Sequence, residues 1–106
     1  MRFCEEPKNK EVTTTRYVID ANSLITYVVY DEAGQWQLFS DEDYTESDIY
    51  PISVSDMLTL DDSLSALDLK PGQGAERSDA DSAWQTIRLR STHNPLSFDE
   101  DDRELR

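Results

Sequence analysis

The chain has 106 residues, 37% of them hydrophobic and 31% charged, and a formal net charge of −13. That is material for one domain with a small core and not for two, at the polar edge of the globular range. The longest apolar run, Tyr27 to Tyr30, is far too short to span a bilayer, and the charge repels nucleic acid and anionic membrane while attracting basic proteins.

Residues 1–11 are polar and mixed in charge, and Pro7 discourages a helix, so they are expected to form an N-terminal arm. MRFCEEPKNK lacks the apolar stretch of a secretory signal, and the single cysteine, Cys4, cannot form an internal disulfide. Both features agree with a cytoplasmic location. VTTTRYVI, from Val12, is rich in β-branched residues and predicts a strand. The turn-prone Asp20 to Ser23 follows, and then LITYVVY, Leu24 to Tyr30, the strongest strand signal in the chain. Asp31-Glu32-Ala33-Gly34 supplies a turn in which Gly34 can take a positive φ, and WQLFS resumes the extended pattern. The pattern therefore predicts a hairpin over about 24–39, with Trp36 and Leu38 on one face and Gln37 and Phe39 on the other.

SDEDYTESDIYP then packs carboxylates together with no base among them. PISV reads as a short strand, and the period changes: Met57, Leu60, Leu64 and Leu67 recur at helical spacing, with Ser55, Asp56, Asp61 and Asp62 available as N-caps. One or two short helices over about 55–69 are predicted, stopped by Pro71-Gly72 and Gly74. AWQTIRLR predicts a final strand over about 84–90, and 91–106, with Asn94-Pro95 and DEDDRELR, reads as an acidic, disordered tail. The expected fold is α+β: a small, mostly antiparallel sheet with short helices, in a single domain over 12–90.

The distribution of charge says more than its sum. Between Arg16 and Lys70 there is no Lys or Arg, while the interval holds Asp20, Asp31, Glu32, Asp41, Glu42, Asp43, Glu46, Asp48, Asp56, Asp61, Asp62 and Asp68. Calcium geometry fails there. A calcium loop starting at Asp41 would put Glu46 where glycine is needed and Ile52 where a bidentate Glu belongs. One Cys and one His, His93 near the tail, do not make a structural zinc set or a nucleophilic triad. Gly34, Gly72 and Gly74 are the only glycines, so no phosphate-cradling or dinucleotide loop can be written. Paired carboxylates acting as acid and base would need a concave pocket to drive their pKa values apart, and a chain so poor in apolar residues has little material for one. Enzyme activity, a bound cofactor and a metal are not expected. The candidate partner-binding residues are Asp41, Glu42, Asp43, Glu46 and Asp48, which would steer a basic protein, with Tyr44 and Tyr50 as anchors. Trp36, Trp84 and Arg77 are candidate structural residues, with Arg77 pairing an acid of the middle segment or stacking on a Trp.

YVVYDEAG, then W-x-L-F-S with acids, D-x-S-L-x-x-L, P-G, A-x-R and a last W resemble a bacterial family long catalogued as a domain of unknown function and associated with immunity proteins of polymorphic toxin systems. The match runs from about Thr13 to Trp84 and is carried by Tyr30, Trp36, Phe39, Ser63, Leu64, Leu67, Gly72, Ala75, Arg77 and Trp84. In that family a Cys-Gly or Ser-Gly often follows the W-x-F-like strand, whereas here Ser40 leads straight into Asp41-Glu42-Asp43. The resemblance implies a small α+β domain that neutralises a toxin by covering an essential surface, with no catalytic residue to carry over. Three readings result: an acidic binding protein that neutralises a basic toxin; a carboxylate-based cation-binding or enzymatic domain; and a structural or regulatory protein whose acidity serves solubility. A monomer is expected, or at most a weak homodimer, since like charge opposes the approach of two acidic faces.

Overall fold

In a computed structural model, which describes residues 1–88, the chain is an α+β domain built on a six-stranded sheet. The strands are β1 (Glu11–Thr15), β2 (Tyr27–Tyr30), β3 (Trp36–Phe39), β4 (Ile49–Ser53), β5 (Gln73–Glu76) and β6 (Gln85–Arg88), in the order β4-β1-β3-β2-β5-β6. Every neighbouring pair is antiparallel except β1 with β3, where Thr13 faces Gln37 in parallel register. Two helices, α1 (Arg16–Ala21) and α2 (Val54–Leu60), and short 3-10 turns at Phe3–Glu5, Glu46–Asp48 and Asp62–Ala66 complete it.

The hairpin forms as its sequence predicts. Asp31 Oδ1 accepts from the Ala33 and Gln35 amides (2.9 Å each), and Gly34 takes φ 82°. The register sets Tyr30 beside Trp36 and Val28 beside Leu38. Tyr30 stacks on Trp36 with centroids 4.3 Å apart, and Phe3 meets the same indole edge-on at 5.0 Å. Phe3, Val12, Val28, Trp36, Leu38, Val54, Met57, Leu64 and Ala75 form one buried core between this sheet face and the helices. Val29 and Phe39, on the opposite face, are buried as well.

Four expectations need revision. The stretch read as one strand from Val12 divides: β1 ends at Thr15, which lies opposite Ile49, the first residue of β4, so its ladder to that strand stops there. Arg16–Ala21 then coils into α1, buries Val18, and closes at Asn22 (φ 55°) with the Ser23 amide on the Tyr17 carbonyl at 3.0 Å. The β-branched propensity of Val18 and Ile19 yields to that lack of a partner and to a place for Val18 in the core. The strand predicted from Leu24 starts only at Tyr27, leaving Leu24 exposed and Ile25 buried. Gln73–Glu76, read as part of a turn, is a strand between β2 and β6; Gly74 and Ala75 suit a position flanked on both sides, and Gly72 (φ 87°) makes the turn before it. Residues 1–11 do not hang free. Phe3 is fully buried, its amide bonds the Leu67 carbonyl (3.0 Å), and the buried Glu6 carboxylate accepts from Trp36 Nε1 (2.7 Å). Residues 89 and 90 of the predicted final strand, the predicted tail and His93 lie outside the described residues.

Candidate functional site

The acidic loop 40–48 joins β3 to β4 and is held from both ends. At its start Asp41 Oδ1 accepts from Thr26 Oγ1 (2.7 Å) and Glu42 Oε2 from Ser23 Oγ (2.6 Å), while Ser40 Oγ bonds the other oxygen of Glu42. These hydroxyls, Ser23 foremost and then Ser40, hold the Glu42 carboxyl below the usual range. At its end Asp48 caps the turn at Thr45–Asp48: Oδ2 accepts from the Thr45 amide (2.9 Å) and Oδ1 from Arg16 Nε (2.6 Å). The Thr45 amide first, and Arg16 second, hold the Asp48 carboxyl below its ordinary value. Tyr44 lies flat on Phe39, centroids 4.8 Å apart and planes within 6°, and burial pushes its hydroxyl pKa up.

The predicted partner-binding residues therefore do not act alike. Asp41, Glu42, Asp43 and Glu46 are at the surface of one loop, and Tyr50 is exposed on β4, an edge strand that Pro51 makes a poor template for further pairing. Asp48 is buried and committed to Thr45 and Arg16, and Tyr44 is half-buried in its stack, so both build the loop. Among the described residues ion pairs engage Glu6, Asp48, Asp61 and Asp68; Asp43, Glu46 and Asp62 have no basic partner there.

The structural candidates meet at one hub. Arg77, 8% exposed, donates Nε to the Ile25 carbonyl (2.9 Å), Nη1 to Ser63 Oγ (2.9 Å) and Nη2 to Asp61 Oδ2 (2.6 Å). Its guanidinium also covers the Trp84 ring at 4.2 Å, so the ion pair and the stacking, posed as alternatives by the sequence, coexist. Trp36 stands in the core and Trp84 packs at its edge.

Around the segment Asn22 to Thr26 the surface is concave. A groove of about 450 Å³ lies between Leu24 and Leu60, floored by Val18 and Ile25 and bordered by Asp61 and Asp62. On one side it adjoins a shallower hollow formed by Ser23, Leu24, Thr26, Asp41 and Glu42. On the other, beyond Arg77, lies a cleft of about 670 Å³ walled by Thr26, Tyr27, Asp41, Glu76 and Gln85. The acidic loop was legible in the sequence, but its adjacency to Leu24 was not, because that follows from tertiary packing. Among the described residues no group of His, Cys, Asp and Glu comes together as a metal ligand set, and no helix is long and apolar enough to cross a membrane.

The fold and this surface define a small α+β domain with an acidic, concave end. Against known proteins the chain matches no family model, no curated protein and no solved structure.

Proposed function

We propose that the chain is a non-enzymatic binding protein that docks a basic protein on its acidic end, in the setting its sequence resemblance implies: a cytoplasmic immunity protein that neutralises a basic toxin domain by covering it. The observation that carries this reading is the spatial separation of charge. The bases Lys10, Arg16 and Arg77 are engaged by Glu6, Asp48 and Asp61, whereas Asp43, Glu46 and Asp62 face solvent without a described basic neighbour. Such an unneutralised field accelerates encounter with a basic surface and loses its effect as salt screens it. Toxins that hold nucleic acid are basic where they hold phosphate, so an acidic cover matches them.

The test begins with capture of the partner from the native host and its identification by mass spectrometry. Association of that partner is then measured over a range of ionic strength with the chain and with Asp43→Asn/Glu46→Gln. The reading expects a basic partner, slower association of the variant and a shallower salt dependence. An acidic partner would overturn it, and so would rate constants that the substitutions leave unchanged at every ionic strength.

A further inference from the structure

Resting on that reading, we infer that the groove between Leu24 and Leu60 is the docking point, and that its occupant is a basic polypeptide segment that inserts an apolar side chain flanked by Lys or Arg. Leu24 (37% exposed) and Leu60 (44%) are among the most exposed large hydrophobics of the described residues, and they stand across one groove whose floor, Val18 and Ile25, is itself apolar. A groove with an apolar floor and a polar, acidic border suits an inserted apolar side chain carried on a basic segment. Two of the charged groups of the groove, Asp61 and Arg77, are already engaged with each other. Asp61 accepts from Ser63 and Arg77, and each nitrogen of the Arg77 guanidinium donates once, to Ile25, Ser63 and Asp61. The attraction at the centre is then apolar contact with Leu24, Leu60, Val18 and Ile25.

The rim supplies the sign of the partner. Asp62 borders the groove exposed and without a described basic neighbour, and Asp41 and Glu42 border the adjoining hollow that shares Ser23 and Leu24. The cation at the groove, Arg77, is neutralised by Asp61 at 2.6 Å. An apolar centre with an acidic rim selects a segment of opposite charge and rejects an acidic one by like-charge repulsion. The docking point thus moves from the loop 41–50 alone to the 22–26 segment, which borders the start of that loop on one side and the end of α2 on the other.

The probe is a short synthetic peptide of alternating Leu and Lys, compared with peptides in which Ser replaces Leu or Glu replaces Lys, added to the isotope-labelled chain. The Leu/Lys peptide is expected to shift the amide resonances of residues 22–26 and 60–63. Leu24→Ser and Leu60→Ser, both at exposed positions, are expected to weaken binding about tenfold each, as loss of a central apolar anchor does, without lowering the melting temperature. Asp62→Lys, at an exposed position, is expected to weaken it most at low salt. The Ser/Lys peptide should bind at least about tenfold more weakly, and the Leu/Glu peptide not at all. If the Ser/Lys peptide binds as tightly, with shifts spread over 41–48, the groove is overturned while the acidic binding reading stands. If no basic peptide binds anywhere, both fall.

Discussion

Arg77→Met removes a charge and three donors while keeping a flexible apolar chain over Trp84, so it isolates the polar hub at the edge of the core. The Arg77 side chain is 2% exposed and its partner Asp61 18%. The substitution orphans the Ile25 carbonyl and leaves the Asp61 carboxylate with the hydroxyl and amide of Ser63. Breaking a buried pair on one side costs about 3–5 kcal/mol, and because Asp61 still reaches water the low end, about 3 kcal/mol, applies. For a domain of this size that lowers the melting temperature by about 12 °C or more. Urea unfolding followed by Trp fluorescence gives the midpoint and slope, with Asp61→Asn and the double variant completing a cycle. The uncompensated charge is absent in the double variant, so it should be more stable than Arg77→Met alone, with a coupling of about 1–3 kcal/mol. A loss below about 1 kcal/mol, or strict additivity, would show that the hub contributes no more than an exposed pair.

Asp48→Asn should act through pH. The folded state holds the Asp48 carboxyl below its ordinary value, chiefly through the Thr45 amide and then Arg16. Its stabilisation is therefore fully present above the unfolded pKa of about 4 and is lost as pH falls through the lower folded value, so the variant's stability should decline less steeply below about pH 5. Parallel acid limbs for variant and parent would remove Asp48 from that role. Trp36→Phe keeps a ring against Tyr30 but deletes the 2.7 Å bond to buried Glu6, which retains only Lys10 at 3.3 Å. A loss of about 2–4 kcal/mol by chemical denaturation is expected, and one under about 1 kcal/mol would mean that Glu6 finds another donor. Phe3→Ala empties a fully buried ring site against Trp36 and should cost about 3–4 kcal/mol by the same measurement; an unchanged midpoint would detach the N-terminus from the core.

What was legible in the sequence was whatever local chemistry decides. The hairpin follows from LITYVVY, Gly34 and WQLF, and α2 with its following turn from the spacing of Met57 and Leu64 and from the cap at Asp61, although α2 itself is capped by Ser53 and not by Ser55 or Asp56. What was hidden depends on partners distant in the chain. Arg16 starts a helix because β1 reaches the end of its ladder to β4 at Ile49, and QGAE becomes a strand because β2 and β6 both need a neighbour there. Glu6 looked like one more acid of a polar arm, yet it lies under Trp36, a pairing across 30 residues that no local pattern encodes.

The same division separates fold from partner choice. Every residue that carries the sequence resemblance has a task inside the domain. Tyr30, Trp36, Leu64, Leu67 and Ala75 are core, Phe39 is buried on the opposite face, Gly72 makes a positive-φ turn, and Ser63, Arg77 and Trp84 form the hub. Those residues specify a scaffold and leave its target unspecified. Under the proposed binding role, discrimination between partners would fall to side chains outside that set: Leu24, Leu60 and Asp62 at the groove, Glu42 at the adjoining hollow, and Asp43 and Glu46 on the exposed loop. Exchanging those surface residues between two chains of this fold should exchange their partners at little cost in stability, since surface substitutions away from caps and pairs stay within about 0.5 kcal/mol. Exchanging residues of the hub should cost stability whichever partner is offered.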